Sequence, residues 1–274
     1  MKTKIEPTLA KSLLWKITGK SLTHPSYLYG TMHMMCADDF EIKPKVKNAL
    51  EKCDELVMEF DFTNEDEMAV LQQMHTSSEK ISNFLDEEEK VEFESIMKSN
   101  FNLSLEDADQ MAPMMLVNMM VLKAIDCDEI KLFETELIAI AQQKNIKLGG
   151  VESATEQMKI AAKVFDSKEL LRQLKSADDF KNVFQEMIDS YKKEELEIIG
   201  SYLNDERFLN QDSKETLVME RNRNWIKRIP KMMKGKSVFF AVGAGHLTGS
   251  EGVIHLLKKK GYSVNPVYNR RIEQ

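Results

Sequence analysis

The chain has 274 residues, of which 42% are hydrophobic and 30% charged, and its formal net charge is −7. That length suits one large domain or two small ones, and the acidic balance argues against nucleic acid as the main partner. Three cysteines, Cys36, Cys53 and Cys127, show no paired metal spacing, so neither a disulfide framework nor a zinc knuckle is expected. Cys36 reads as a small buried thiol. No apolar stretch reaches the length of a membrane span, so no integral membrane segment is expected. The first residues, Met-Lys-Thr-Lys-Ile-Glu-Pro, lack an apolar signal core. The compartment stays open: cytoplasmic on the chain as given, or exported or lipid-anchored after loss of a leader.

In chain order, Leu13 to Thr18 reads as a strand, Gly19 to Pro25 as a turn, and Ser26 to Gly30 as the second strand of a hairpin. Gly30-Thr31-Met32-His33 follows directly. Pro44 to Lys52 predicts a helix, and Glu55 to Phe60 a strand that ends on Glu59 and Asp61. A carboxylate within an otherwise apolar strand is costly unless it is paired, hydrogen-bonded or bound to a cation. From Asn64 to about Ala141 the pattern is mostly helical, with Asp86 to Phe101 and a methionine-rich helix whose first turn holds Pro113. Those methionines read as adaptable core filling, with an apolar peptide groove as the alternative. Phe133 to Lys144 predicts another helix and Ile146 to Gly150 a short strand, with Glu152 just after it. Helical spacing resumes over Glu156 to Leu174, Asp179 to Leu203 and Lys214 to Met233, the last carrying Glu220, Arg221 and Trp225.

Lys236 to Gly261 is the clearest segment. Its first part is a continuous apolar run suited to a strand buried on both faces. Gly243-Ala244-Gly245-His246 follows, with Thr248 or Ser250 placed to cap a helix that Gly261 ends. Tyr262 to Val267 then predicts another strand, which completes a βαβ unit. Ligand sites of open α/β sheets lie at the carboxyl ends of the strands, where His246 falls. Two strands therefore close on the same Gly-x-x-His pattern. If they are neighbours, His33 and His246 meet in one crevice, and Glu59 can join them. Two histidines and a carboxylate are a recurring shell for a divalent metal with open positions. His24, His75 and His255 have no such pattern and read as structural or solvent-facing.

At these residues the chain resembles the TraB/GumN family, which includes the TIKI-type metalloproteases. The blocks that carry the resemblance are Leu13 to Ile17, Pro25 to His33, Val57 to Asp61, Gly150 to Ser153, Glu220 to Asn222, and Val242 to Leu247. The resemblance covers nearly the whole chain and implies one domain over 1–274. The pattern of elements predicts an α/β fold, with a central mixed sheet built from N- and C-terminal strands and a mainly helical section of about 64 to 235 packed over it. The fold is similar to that of erythromycin-esterase-like and ChaN-like proteins.

The resemblance implies His33 and His246 as the central metal-binding pair, with Glu59, Glu152, Glu220 and Arg221 around them. The implied cofactor is Mn²⁺ or a similar divalent ion, Co²⁺ and Zn²⁺ included. The implied activity is metal-dependent hydrolysis, with a peptide or protein as substrate. Chemically, Glu59 is a third ligand or the general base. Arg221 would hold a carboxylate or a developing oxyanion, and Glu220 and Glu152 would orient a ligand or act as acid and base. Two alternatives stand beside this: a metal-independent, esterase-like hydrolase with a histidine base, and a protein that binds a peptide or haem-like ligand without turnover.

Overall fold

The structure is a computed structural model that describes residues 9–269, apart from 21, 73–79, 126, 165–166 and 208. The predicted histidine at 75 lies outside the described residues. Among the described residues, eight strands form two sheets. The larger contains β1 (Leu14–Thr18), β2 (Ser26–Thr31), β4 (Glu55–Met58), β6 (Lys147–Gly150), β7 (Val238–Gly243) and β8 (Ser263–Pro266), in the order β6-β4-β7-β2-β1-β8. The first four of that order run parallel to one another, whereas β1 is antiparallel to both β2 and β8. The sheet is thus mixed, as expected. It draws on more than the two ends of the chain, because β6 comes from within the helical section and pairs with β4.

All six residues of β7 are buried. This follows from its place between β4 and β2 with apolar layers on both faces, which a continuous run such as Val-Phe-Phe-Ala-Val permits. The predicted βαβ unit forms through the helix Val253–Lys259. Its second strand, β8, crosses to the far edge and pairs with β1. The helix ends before Gly261, whose φ of 84° suits a residue without Cβ. Its start differs from the expectation. Gly252, and neither Thr248 nor Ser250, is the cap residue, because Thr248 Oγ1 turns back to donate to Gly245 O at 3.1 Å.

The helical section has its own apolar centre, made by Ile81, Leu85, Phe93, Met97, Leu116, Met120, Leu170 and Leu174. The helix Glu87–Phe101 opens with a reciprocal capping box between Asp86 and Glu89. Pro113 stands in the first turn of the helix Pro113–Ala124, where a missing N–H is harmless. Met120 is buried in this cluster and Met111 and Met119 pack on it, so these methionines fill a core. No helix of the described residues is long and apolar enough to cross a membrane.

The smaller sheet was not anticipated. β3 (Met34–Cys36) pairs antiparallel with β5 (Ile130–Leu132), with Met34 opposite Leu132 and Cys36 opposite Ile130. Cys36 and Cys127 form a disulfide, which corrects the expectation of free thiols. An odd count and a sequence separation of 91 hid the pair, since only the antiparallel ribbon brings the two cysteines together. Cys53 remains free and buried.

Candidate active site at the carboxyl edge of the sheet

Four parallel strands end at one edge, and each is followed within a few residues by a site side chain. His33 follows β2, Glu59 follows β4, Glu152 follows β6 and His246 follows β7. β2 and β7 are direct neighbours with Thr31 opposite Gly243, so the two Gly-x-x-His segments lie side by side. One glycine is required by close approach, and a second marks where the side chains meet. A Cβ on Gly30 would stand 3.0 Å from Ala244 Cα, pushing the His246 turn off the sheet. A Cβ on Gly243 would stand 3.4 Å from both Glu59 Oε1 and His33 Nε2 and 3.6 Å from His246 Cδ2. Three functional groups therefore converge on one small hollow above Gly243.

Arg221 ties the edge together from the helix Arg221–Met232, which follows a π-helical segment, Glu215–Glu220. Its Nε and Nη2 donate to Glu152 Oε1 at 2.9 and 2.5 Å, and Nη2 also donates to Glu59 Oε2 at 2.5 Å. Nη1 donates to Leu217 O and, at 3.2 Å, to His246 Nε2. Gln157 Nε2 bridges Glu59 Oε2 and Glu152 Oε1 at 2.9 and 3.0 Å. Trp225 Nε1 takes the other oxygen of Glu152 at 2.8 Å. Glu152 is thus consumed in holding Arg221 and Trp225. Glu59 Oε1 accepts only the Gly243 N–H, at 2.9 Å, among the described hydrogen bonds, and it lies 3.9 Å from His246 Nε2. It is the carboxylate oxygen with room toward the hollow.

The two imidazoles are oriented in the same sense by different partners. Asn222 Nδ2 donates to His246 O and Glu251 O, which turns Asn222 Oδ1 to accept from His246 Nδ1 at 2.7 Å. His246 Nε2 faces a guanidinium, which can only donate, so that nitrogen carries a lone pair. Trp225 lies against the ring with centroids 4.3 Å apart. His33 Nδ1 donates to Glu134 Oε1 at 2.8 Å and leaves Nε2 toward Gly243. Glu134 opens the helix Phe133–Gln143, and Phe133 N donates to His33 O at 2.9 Å.

Electrostatics separate these groups. Burial would raise the Glu59 carboxyl, but the Arg221 charge, the two histidines and the Gly243 N–H hold it well below the usual carboxylate range. Burial first, and then the Arg221 charge, push His246 down to about 3. For His33, burial works against the charged ring, yet the Glu134 charge and hydrogen bond, with Glu59 behind them, raise it to about 9. Its side chain is 56% exposed, so water along its open edge screens part of this. Burial and Arg221 thus favour the neutral form of His246, and Glu134 favours the charged form of His33.

Of the sequence-predicted residues, the structure brings together His33, Glu59, Glu152, Arg221 and His246. It leaves Glu220 exposed, with no described contact to the others. Glu220 ends the π-helical segment and faces away from Arg221's partners, as adjacent helical residues point about 100° apart. His24 is exposed and His255 half-buried, both away from the cluster. Sequence reasoning missed Glu134, Gln157, Trp225 and Asn222 as site residues. Asn222 lies inside the conspicuous Glu-Arg-Asn triplet, so a signal was present. Glu134 looks like any acid in a first helical turn, and nothing local pairs it with His33.

The donor types are those that divalent metals take, namely two imidazole Nε2 atoms, each with its other nitrogen on an oxygen acceptor, and one carboxylate oxygen, although His246 Nε2 is met here by Arg221. Among the described residues no three such side chains stand close enough to enclose an ion. Arg221 supplies the positive partner of Glu59 and donates to His246 Nε2.

Fold and site together define an α/β protein with a polar two-histidine centre at the carboxyl edge of a mixed sheet. The chain belongs to the TraB/PrgY/gumN family, whose model matches residues 13–266. Among curated proteins, a "Metalloprotease TIKI homolog" of Amphimedon queenslandica is 42% identical over 60 residues, covering 21% of this chain and 12% of that protein. A protein of the same description from Nematostella vectensis is 34% identical over 62 residues, covering 22% of this chain and 13% of its own length. The aligned part is thus a small fraction of either relative. No solved structure matches the chain.

Proposed function

We propose that this protein is a metal-dependent hydrolase that cleaves peptide bonds in a peptide or protein substrate. The observation that carries the reading is the matched preparation of His33 and His246: each Nδ1 is held by an acceptor, His33 Nε2 faces Gly243, and His246 Nε2 lies 3.9 Å from Glu59 Oε1 with Arg221 Nη1 on its lone pair. The family membership and the metalloprotease description of the two relatives support the same reading. His33, His246 and Glu59 would hold the ion, with Mn²⁺ as the first candidate and Co²⁺ or Zn²⁺ as alternatives. Once bound, it would supply a Lewis acid and a bound water acidified to a pKa of ~7 in favourable cases.

The chain's own residues prepare this chemistry. Asn222 and Glu134 fix the ring nitrogens, so each histidine presents a single donor atom. Glu152 and Gln157 hold Arg221 and Glu59 in register. Arg221 keeps Glu59 anionic and stands on the His246 lone pair, the same lone pair a metal would take. With its N–H groups engaged in this way, Arg221 is a positioning residue. A direct histidine base is less well supported, because general bases work best with a pKa near the operating pH. Burial and Arg221 hold His246 below that range, and Glu134 holds His33 above it.

The test is hydrolysis of a mixed peptide library by the intact chain with Mn²⁺, with a chelator, and after His33→Ala or His246→Ala. Cleavage should require the metal and both histidines. Cleavage that survives exhaustive chelation, or full activity in either variant, would overturn the reading.

A further inference from the structure

His33 has a backbone φ of 28°, in the left-handed region that a non-glycine residue occupies only when its surroundings hold it there. The surroundings are the β3–β5 ribbon. His33 immediately precedes β3, and Phe133 and Glu134 immediately follow β5. The ladder runs from Ala37 N on Glu129 O, through the three pairs of the ribbon, to Phe133 N on His33 O. A two-stranded ribbon this short is marginal on its own. At its other end Cys36 and Cys127 are bonded, with their Cα atoms 5.9 Å apart. Both cysteines are only half-buried.

We propose that the Cys36–Cys127 disulfide is a redox-sensitive positioning element of the candidate site: closed, it holds His33 against Glu134 and toward Gly243, and opened, it releases His33. A dithiol reductant opens it by passing two electrons and two protons to the cysteine pair. The S–S bond breaks, Cys36 and Cys127 become thiols, and the dithiol becomes a cyclic disulfide. Cys53 is a poor exchange partner, since it is buried against Ala49 and Ser237 and burial pushes its thiol up to about 11. The consequence for catalysis rests on the hydrolase reading; the mechanical coupling does not.

The experiment compares the full chain oxidised, reduced with dithiothreitol and alkylated, and as the Cys36→Ser/Cys127→Ser variant. Amide hydrogen exchange is followed at Phe133 and in β7, and side-chain nitrogen resonances of His33 report its tautomer. Opening should speed Phe133 exchange about tenfold or more while β7 stays protected, and His33 should lose its fixed Nδ1–H. Unchanged Phe133 exchange and an unchanged His33 tautomer in an opened chain with protected β7 would overturn the proposal. Where the variant fails to fold, reversible reduction of the native chain gives the same comparison. On the same samples, peptide hydrolysis should fall about tenfold or more on opening and return on reoxidation. Hydrolysis unchanged by opening would overturn the coupling to catalysis. An oxidised chain that never hydrolyses peptides would contradict the proposed function and leave the ribbon to be decided by exchange and tautomer alone.

Discussion

Arg221 Nη1 lies 3.2 Å from His246 Nε2, and because a guanidinium only donates, this contact fixes which histidine nitrogen is bare. The proton sits on Nδ1, facing Asn222 Oδ1. One arginine therefore sets the tautomer of a residue 25 positions away while neutralising two buried carboxylates.

Removing that arginine should be costly. Arg221→Ala strands Glu59 and Glu152 in a buried site, and breaking such a pair typically destabilises by about 3–5 kcal/mol. Urea unfolding should show this loss. Arg221→Lys should recover only part, since an ammonium cannot reproduce the forked contact with both carboxylates. A loss of under ~1 kcal/mol in Arg221→Ala would contradict the account of this cluster.

Asn222→Ala should loosen His246 without touching the hollow. Loss of such a supporting contact usually lowers metal affinity or activity about 10–100-fold. Two carbonyls, His246 O and Glu251 O, also lose their donor, so a further loss of about 1–3 kcal/mol is expected. Metal titration and thermal unfolding on the same sample separate the two effects.

Gly243→Ala tests the hollow itself. The added carbon lies in ordinary contact distance, 3.4 Å from Glu59 Oε1 and His33 Nε2, so the fold should survive. The space between the donors is filled, so activity should fall about tenfold or more with unfolding shifted by less than ~1 kcal/mol. Glu220→Ala should leave both quantities unchanged, since Glu220 is exposed and outside the cluster.

A pH effect is expected at Glu156, whose hydrogen bonds from Arg228 lower its carboxyl to about 2. A depressed folded-state pKa means that stability is fully present above the unfolded value, near 4.5, and is lost as pH falls toward about 2. Glu156→Gln should remove that part of the acid dependence. The difference should be small, because both side chains are more than a third exposed and water screens the pair. Identical acid unfolding curves for the two proteins between those pH values would contradict the assignment.

Much of the fold was legible because β7, β1 and β2 carry continuous or alternating apolar runs bounded by glycine and proline. The histidine pair was legible because the same four-residue pattern closes two strands. Glu134 was not, since its partner His33 lies 101 residues away and no local pattern joins them. The β3–β5 ribbon was equally hidden. Three-residue strands are too short for a period to show, and their pairing depends on tertiary contacts. The exposed placement of Glu220 was not legible, because the triplet does not reveal which helical face meets the sheet edge.

The central claim is that His33, His246 and Glu59 form a divalent-metal site. Calorimetric titration of Mn²⁺ into the intact chain and into the His33→Ala/His246→Ala variant tests it most directly. The account predicts saturable one-site binding by the intact chain and none by the folded double variant. Equal binding by both, or no binding by a well-folded intact chain to Mn²⁺, Co²⁺ or Zn²⁺, would contradict it.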